Sequence, residues 1–395
     1  MNTGNRAVNR RTALLAIAGS ALQLSGCGGS VDLAGLSSGG TGSFTSGTIV
    51  GLGSIIVNGI RYDDRQAKII GESSNRDALK LGMVVSIQGS GTRDSGTPGA
   101  PLKATASTIR YGSEWRGPID SVSTGSGTFR LLGQTVDVLV ATVFDGVTDL
   151  AGLAALPDQS LLEVYGYLDP SSGHLQATRI ELKSSLSDYS LSGVVMQKDS
   201  SSFTLGTTTI AHGAGTQQPA SWDSGSLVHV RLDAAMNAIE ITTPAQQVLG
   251  DLKLDDDDDA EIEGIVTAYS ATSTRFAVKG IEIDGAAIQD LAGQGLAIGV
   301  RVEVKGKIKG GLILASQIEV KGSSDDLKDK EIEYEFHGTL SQLDTLNRRF
   351  MLRGYTIGYE PATLDGLELH DGLYVEVKAV KSGDGLQAVE IGQED

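Results

Sequence analysis

Apolar and polar residues alternate with a period of two through much of the chain, and the same alternating blocks recur along it. The recurrence is clearest at five glycines, which are spaced 70, 76, 71 and 74 residues apart: Gly47, Gly117, Gly193, Gly264 and Gly338. An aliphatic residue stands two positions after each of them. Self-similarity at a fixed spacing indicates a repeated structural unit.

Three further blocks follow each glycine, and the last of them, such as LQATRI ending at Ile180, closes the copy. The first reads FRLLGQTV from Phe129 and FMLRGYTI from Phe350, and the second reads GVRVEVKG from Gly299. Strict alternation predicts strands with one buried face, and a glycine between two such runs predicts a tight turn. In the third copy Thr207 replaces the glycine of the first block.

Each copy therefore predicts about five short strands, with room for one short helix before the fourth strand. Five strands in about 70 residues fit a small barrel of OB-like type, and a solenoid is the alternative. The high glycine count of 52, with only 8 prolines and 5% aromatic residues, is typical of an all-β chain with many turns. We therefore predict an all-β chain of five tandem OB-like β-barrel repeats, preceded by a lipoprotein signal peptide and a flexible tether.

The block pattern also predicts domain boundaries along the chain. They are a signal peptide at 1–26, a tether at 27–43, barrel repeats at 44–112, 113–185, 186–246, 261–322 and 333–395, an acidic linker at 247–260 and a second linker at 323–332.

The beginning of the chain has the features of an export signal. Arginines precede an apolar stretch, Thr12–Leu24, that is too short to span a bilayer. The next residues end in the sole cysteine, Cys27, and the sequence LSGC resembles the bacterial lipobox. This resemblance implies cleavage before Cys27 and a lipid on its thiol; a free cysteine behind a plain signal peptide is the alternative. Gly28 then implies an outer-membrane lipoprotein, facing the periplasm or the cell surface.

The stretch after the tether, GSFTSGTIVGLGSIIVNGIRYD, carries a family resemblance. Together with the lipobox and the tandem copies, it resembles bacterial lipoproteins that carry the domain of unknown function 5666. The resemblance covers residues 43 to 395. It implies no activity and no functional residues, because the family has no established activity.

Charge limits the possible partners. The chain carries a net charge of −17, and its first 26 residues contain three arginines and no acidic residue, so the remainder carries −20. Such a body repels nucleic acid, and we expect no nucleic-acid partner. The membrane partner would be reached through the lipid anchor.

We find no constellation that predicts catalysis, a cofactor or a metal site, so no catalytic, cofactor-binding or metal-binding residue is expected. None of the five histidines belongs to a close ligand pair. His229 occupies the polar position of a strand block, where we expect a surface residue. Glu163, Glu303 and Glu376 occupy the same position in other copies, and we interpret them as solvent-facing carboxylates that aid solubility.

The acidic run Asp255–Asp259 has a second interpretation. Alternate aspartates match the first ligand spacings of an EF-hand loop, but Ala260 and Val266 stand where that loop needs glycine and glutamate. We interpret the run as a solvated linker.

Two classes of function remain. The first is a non-enzymatic envelope protein that binds or scaffolds an unknown envelope protein or glycan through tandem barrels. The alternative is an enzyme or small-ligand carrier with a site at a barrel mouth or between repeats, for which the short joint Ile109–Gly117 is the first place to look.

Overall fold

The computed structural model describes residues 43–93, 102–250, 252–364, 366–383 and 385–394. The predicted signal peptide, Cys27 and nearly all of the predicted tether lie outside the described residues.

The first set of strands, barrel 1, follows directly from the alternating blocks. Its elements are β1 (Phe44–Leu52), β2 (Ile55–Val57), β3 (Ile60–Asp63), β4 (Lys68–Ile70), a 3₁₀ turn (Arg76–Ala78), β5 (Val84–Arg93) and β6 (Leu102–Tyr111). β1 pairs with β2 and β2 with β3 in antiparallel fashion, β3 runs parallel to β6, and β6 and β5 return the circuit to β1. The sheet therefore closes on itself and removes its own edges.

Barrel 2 repeats this circuit. Its elements are β7 (Trp115–Ser123), β8 (Thr128–Leu131), β9 (Gln134–Asp145), α1 (Leu150–Ala154), β10 (Leu161–Asp169) and β11 (His174–Lys183). The parallel pair is β9 with β11, and β10 closes on β7. Asp149 caps the short helix through the backbone N–H of Gly152, at the place before the fourth long strand where the sequence left room for a helix.

Barrel 3 is the smallest. Its elements are β12 (Tyr189–Lys198), β13 (Ser202–Leu205), β14 (Thr208–Ala211), β15 (Leu227–Leu232) and β16 (Ala238–Thr242), followed by α2 (Pro244–Leu249). Its parallel pair is reduced to bridges such as Ala211 with Asn237.

Barrels 4 and 5 keep the circuit of barrel 2. Barrel 4 consists of β17 (Asp259–Tyr269), β18 (Arg275–Val278), β19 (Ile281–Asp284), a 3₁₀ turn (Leu291–Gln294), β20 (Arg301–Lys309) and β21 (Leu312–Gly322), followed by α3 (Ser324–Leu327). Barrel 5 consists of β22 (Glu333–Thr339), β23 (Ser341–Asp344), β24 (Arg349–Leu352), β25 (Tyr355–Gly358), a 3₁₀ turn (Pro361–Leu364), β26 (Tyr374–Ser382) and β27 (Gly385–Gln393). Their parallel pairs are β19 with β21 and β25 with β27.

These circuits confirm the all-β class and its small closed barrels. Whether all five sets of strands are copies of one domain stays a prediction, as do the domain boundaries. The structured elements extend into the predicted linkers. β17 begins at Asp259, α2 ends at Leu249, and α3 lies within 323–332.

The barrels contact each other through their first strands. β1 runs parallel to β17 near its beginning and parallel to β22 near its end. β7 touches β12 at Arg116 and Ser190. The apolar residues of barrels 1 and 5 form one core, which Val143 and Tyr165 of barrel 2 also join, and most of those of barrels 2 and 3 form another. The outer faces of the first strands are therefore enclosed by neighbouring barrels.

Candidate functional site

One polar pair recurs at the same place in every barrel. The residue before the recurring glycine pairs across the sheet with the polar residue in the middle of the second block, which is Glu303 in GVRVEVKG. The pairs are Ser46 with Ser86, Arg116 with Glu163, Ser192 with His229, Glu263 with Glu303, and His337 with Glu376. All point out of their own barrels, because the alternate positions fill the cores.

The expectation that Glu163 and Glu303 are solvent-facing carboxylates is wrong. The side chain of Glu163 has 0% exposure and that of Glu303 has 11%. His229 is half-buried, as is Glu376. The first strands of different barrels contact one another. A side chain on the outside of its own barrel is therefore buried against a neighbouring barrel.

A cleft of about 760 Å³ lies where barrels 1 to 4 approach one another. Residues 110–114 and Arg116, from the joint between barrels 1 and 2, line one side of it. The loop 185–188, the outer face of barrel 3, α2 and Lys279 of barrel 4 line the rest. The cleft thus includes the joint Ile109–Gly117, which the sequence indicated as the first place to look for a site between repeats.

The walls of the cleft carry both signs of charge. Of the described residues that line it, the basic ones are Arg110, Arg116, Lys183, Arg231 and Lys279, and the acidic ones are Glu72, Glu114, Asp188 and Glu240. Serine hydroxyls at 86, 113, 185, 187 and 190 lie among them. The cleft is therefore close to neutral in a chain whose net charge is −17.

Arg116 organises the floor of the cleft. Its guanidinium contacts Glu72 and Asp188 and lies 3.7 Å from Oε1 of the buried Glu163. Lys183 Nζ lies 2.7 Å from the other oxygen of Glu163. Burial lowers the pKa of Arg116. Two cations on one buried carboxylate fix the side chains in place, because a lone buried charge is costly.

Ser192, His229 and Glu114 meet beside Arg116. The Ser192 hydroxyl donates to Glu114 Oε2 at 2.6 Å and lies 3.0 Å from His229 Nδ1. Burial lowers the pKa of His229 to about 3, and the nearby charges of Arg116, Arg231 and Arg110 add to the effect. His229 is therefore neutral over the ordinary pH range.

This trio differs from a Ser-His-acid triad. In a triad the histidine contacts both the serine and the carboxylate. Here the serine contacts both other residues, and Glu114 does not contact His229. A histidine with a pKa near 3 is also a weak base, whereas efficient general bases titrate near the working pH. The arrangement suits the holding of a polar ligand.

The lining also contains unused hydrogen-bonding capacity. Ser190 is 1% exposed, and its Oγ has no hydrogen-bond partner among the residues that the structure describes. Lys279 reaches the adjoining part of the cleft from barrel 4, 3.4 Å from Ser46 Oγ, and burial lowers its pKa. A buried hydroxyl without a partner gains from any ligand group that supplies one.

The acidic run lies against barrel 4. Asp256 Oδ1 accepts a hydrogen bond from the backbone N–H of Gly310 at 2.8 Å, and Asp259 lies 3.1 Å from Lys307 Nζ. Its interpretation as a solvated linker stays a prediction, although its last residue already belongs to β17.

Within the described part of the chain, one group of side chains has metal-ligating atoms close together: Glu335, His337 and Glu376 of barrel 5. Burial works against the charged form of His337, but hydrogen bonds to Glu335 and Glu394 raise its pKa above the ordinary value. This group is separate from the cleft.

The strand circuits define the class of the protein, a series of small closed OB-like barrels. The sequence profile described as Domain of unknown function (DUF5666) matches residues 116–181, 263–319 and 337–392. These segments fall in barrels 2, 4 and 5, and the family is thus present in the chain in three segments, consistent with tandem repeats. No curated protein matches the chain. No helix of the described residues is long and apolar enough to cross a membrane.

Sequence reasoning missed the cleft residues. Arg116 and Glu114 of the cleft, and Ser192 beside it, carry no motif, because the cleft is assembled from segments more than 100 residues apart. The signal that could have found them is the alignment of the copies. It places Arg116, Ser192 and His337 at one equivalent position, where a polar residue recurs beside a structural glycine.

Proposed function

We propose that the protein is a non-enzymatic binding protein of the cell envelope, and that its ligand occupies the cleft between barrels 1 to 4. The observation that carries this proposal is the cleft of about 760 Å³ itself, which has the volume of a small-ligand site. Because the cleft is lined by residues of barrels 1 to 4, several linked barrels would contact the same ligand.

The lining favours a polar, uncharged ligand such as a glycan chain. Sugar hydroxyls both donate and accept hydrogen bonds, and the cleft offers donors from Arg231 and Lys279 together with acceptors from Glu114 and Glu240. Because the charges nearly balance, a strongly ionic ligand gains little there. An unfolded segment of an envelope protein is the competing occupant.

The proposal also places the protein at a membrane. In this proposal Cys27 carries lipid after export, and the lipid anchors the chain to the outer membrane. Replacing Cys27 with serine should abolish labelling with a fatty acid and release the chain from the membrane fraction. A Cys27→Ser chain that still floats with membranes would refute the anchor.

The cleft is tested by filling it. Ser187 is exposed and lines the cleft, so Ser187→Trp should block it without disturbing a core. Ser270 is an exposed serine of barrel 4 outside the cleft, and Ser270→Trp is the matched control. Calorimetry against defined envelope oligosaccharides should show binding that falls at least about tenfold in Ser187→Trp and is kept in Ser270→Trp.

The remaining outcomes are equally definite. Equal binding by both tryptophan variants would remove the ligand from the cleft. Binding of extended peptides in place of glycans would refute the glycan class. Hydrolysis of a bound oligosaccharide, lost on filling the cleft, would show an enzyme.

A further inference from the structure

A buried histidine in barrel 5 lies among carboxylates, away from the cleft. Glu335 and His337 are two residues apart on β22 and therefore share a face, and Glu376 on β26 is the register partner of His337. Their ligand atoms all lie within 4.8 Å of one another. The His337 side chain has 0% exposure, whereas that of Glu335 has 15%.

The imidazole ring is held by a second carboxylate on its far side. His337 Nδ1 is 2.6 Å from Glu394 Oε2, and Glu394 Oε1 is 3.4 Å from Arg61 Nη2 of barrel 1. This contact points the other nitrogen, Nε2, at Glu335, 2.5 Å away. A carboxylate behind one ring nitrogen, with the other nitrogen free to ligate, is the usual support of a metal-bound histidine.

Barrel 4 shows what normally balances carboxylates at these positions. Its equivalents of Glu335, His337 and Glu376 are Glu261, Glu263 and Glu303. Three basic side chains lie within 4 Å of them, at 2.9 Å for Arg301, 3.3 Å for Lys305 and 2.9 Å for Lys321. In barrel 5, by contrast, no described lysine or arginine makes an ion pair with Glu335 or Glu376.

We propose that Glu335, His337 and Glu376 bind a divalent transition-metal ion such as Zn²⁺, with Glu394 as the outer carboxylate that orients the histidine. One imidazole and two carboxylates form a mixed nitrogen and oxygen donor set, which suits Zn²⁺ better than Mg²⁺ or Ca²⁺. Three protein ligands leave a fourth position for water.

The geometry requires little movement. Tetrahedral bonds of about 2.0–2.2 Å place ligand atoms roughly 3.4 Å apart, and the ligand atoms of the three side chains already lie within 4.8 Å of one another. Glu335 is partly exposed, which provides a route for the ion.

The ion would lie at the seam between barrels 1 and 5, with all three of its ligands on strands of barrel 5. β22 carries both Glu335 and His337 and pairs with the end of β1. A Cβ on Gly53 of barrel 1 would lie 2.3 Å from the carbonyl oxygen of His337, so the two backbones touch at the site. Arg61 reaches across the same seam to Glu394. The expected role is structural.

The test uses the full, untagged chain after removal of metals with a chelator. Titration with Zn²⁺ alone should show one bound ion per chain, and Co²⁺ alone should give the visible absorption of a four-coordinate ion. Glu335→Gln and Glu376→Gln should each weaken Zn²⁺ binding at least about tenfold, and Glu394→Gln by about 10- to 100-fold. These amides keep the shape of the side chains, so folding can be verified by circular dichroism.

Two variants serve as matched controls. Glu303→Gln changes the equivalent position of barrel 4, and His370→Gln removes an exposed histidine of barrel 5; both should bind Zn²⁺ as the unmodified chain does. Absence of stoichiometric Zn²⁺ binding would show that the group is only an imidazolium held by carboxylates. Binding that survives both glutamine substitutions at 335 and 376 would place the ion elsewhere on the acidic surface.

Discussion

At the residue scale, one topological position carries different chemistry in each barrel. The position before the recurring glycine and its cross-strand partner hold Arg116 with Glu163 in barrel 2 and Ser192 with His229 in barrel 3. The glycine itself is constrained, since a Cβ on Gly264 would lie 2.4 Å from Lys279. The recurring glycine is thus fixed by the fold, whereas the polar residue before it and its cross-strand partner differ from barrel to barrel. These two positions can therefore change their chemistry without changing the strand pairing.

Because the pKa of His229 is lowered in the folded chain, we expect the stability of the fold to depend on pH. The folded chain keeps His229 neutral down to a pH of about 3, whereas an unfolded chain takes up the proton near 6.5. The unfolded state therefore binds more protons between these values, so stability is fully present above 6.5 and is lost as the pH falls. Between pH 7 and 5 the loss from this residue is at most about 2 kcal/mol.

His229→Gln keeps a hydrogen-bonding group for Ser192 and cannot titrate. Its urea midpoint should fall less between pH 7 and 5 than that of the unmodified chain. His370→Gln, which removes an exposed histidine, should retain the original pH dependence. An unchanged slope in His229→Gln would mean that His229 is protonated in the folded state.

The sequence predicted which way these residues point but not what surrounds them. Alternation placed Glu163 and His229 on the outer face of their strands, and they lie there. Their burial depends on other barrels whose contacting residues are far away in sequence, such as Glu72 against Arg116. The alternation of residues within one strand cannot predict a contact with a residue so far away in sequence.

At the element scale, the hairpin between the second and third strands shows how turn chemistry follows backbone conformation. Lys279–Gly280 and Arg353–Gly354 have positive φ at both residues, as type I′ turns require. In barrel 3 the glycine moves one place earlier, to Gly206, and Thr207 follows it. A leading glycine suits a type II′ turn, so the missing glycine in the third copy changes the turn and preserves the hairpin.

The positive φ of the turn glycines predicts how much stability is lost when a glycine is replaced by alanine. Gly354 has φ +84 and open space around the position of a Cβ, so Gly354→Ala should lose about 1–2 kcal/mol through backbone strain alone. Gly392 of the same barrel also has open space but no positive φ, and Gly392→Ala should be close to neutral. Urea unfolding of both variants tests the prediction, and equal midpoints would contradict it.

At the scale of the whole molecule, the barrels are joined by more than the chain between them. The core residues Leu52 and Leu81 of barrel 1 belong to one cluster with Phe336 and Leu340 of barrel 5. The Tyr355 hydroxyl accepts the backbone N–H of Leu81 at 3.2 Å, which adds a polar contact to the same seam. A barrel in this molecule therefore buries apolar surface in two ways, within itself and against a distant copy.

The closed barrels could be predicted from the sequence, whereas their mutual packing could not. Each circuit follows from alternation and turn residues within about 70 residues. The pairing of β1 with β17 and β22 joins residues more than 200 positions apart, Phe44 with Ala260 and Gly51 with Glu335. Every barrel has a similar first strand, and no local signal distinguishes which of them pair.

The shared core leads to a prediction about truncation. A chain that ends at Ile332 lacks barrel 5 and leaves the end of β1 and residues such as Leu52 without their partners. Amide protons of β1 and β2 should then exchange faster by about tenfold or more, since a loss of about 1.4 kcal/mol in opening free energy has that effect.

Amides of β13 and β14 in barrel 3, whose core is shared with barrel 2, should keep their protection. Hydrogen exchange followed by mass spectrometry measures both regions at once. Unchanged protection of β1 and β2 would mean that barrel 1 is stable by itself and that its contacts with barrel 5 contribute little, because an autonomous barrel would retain all six of its own strand pairings.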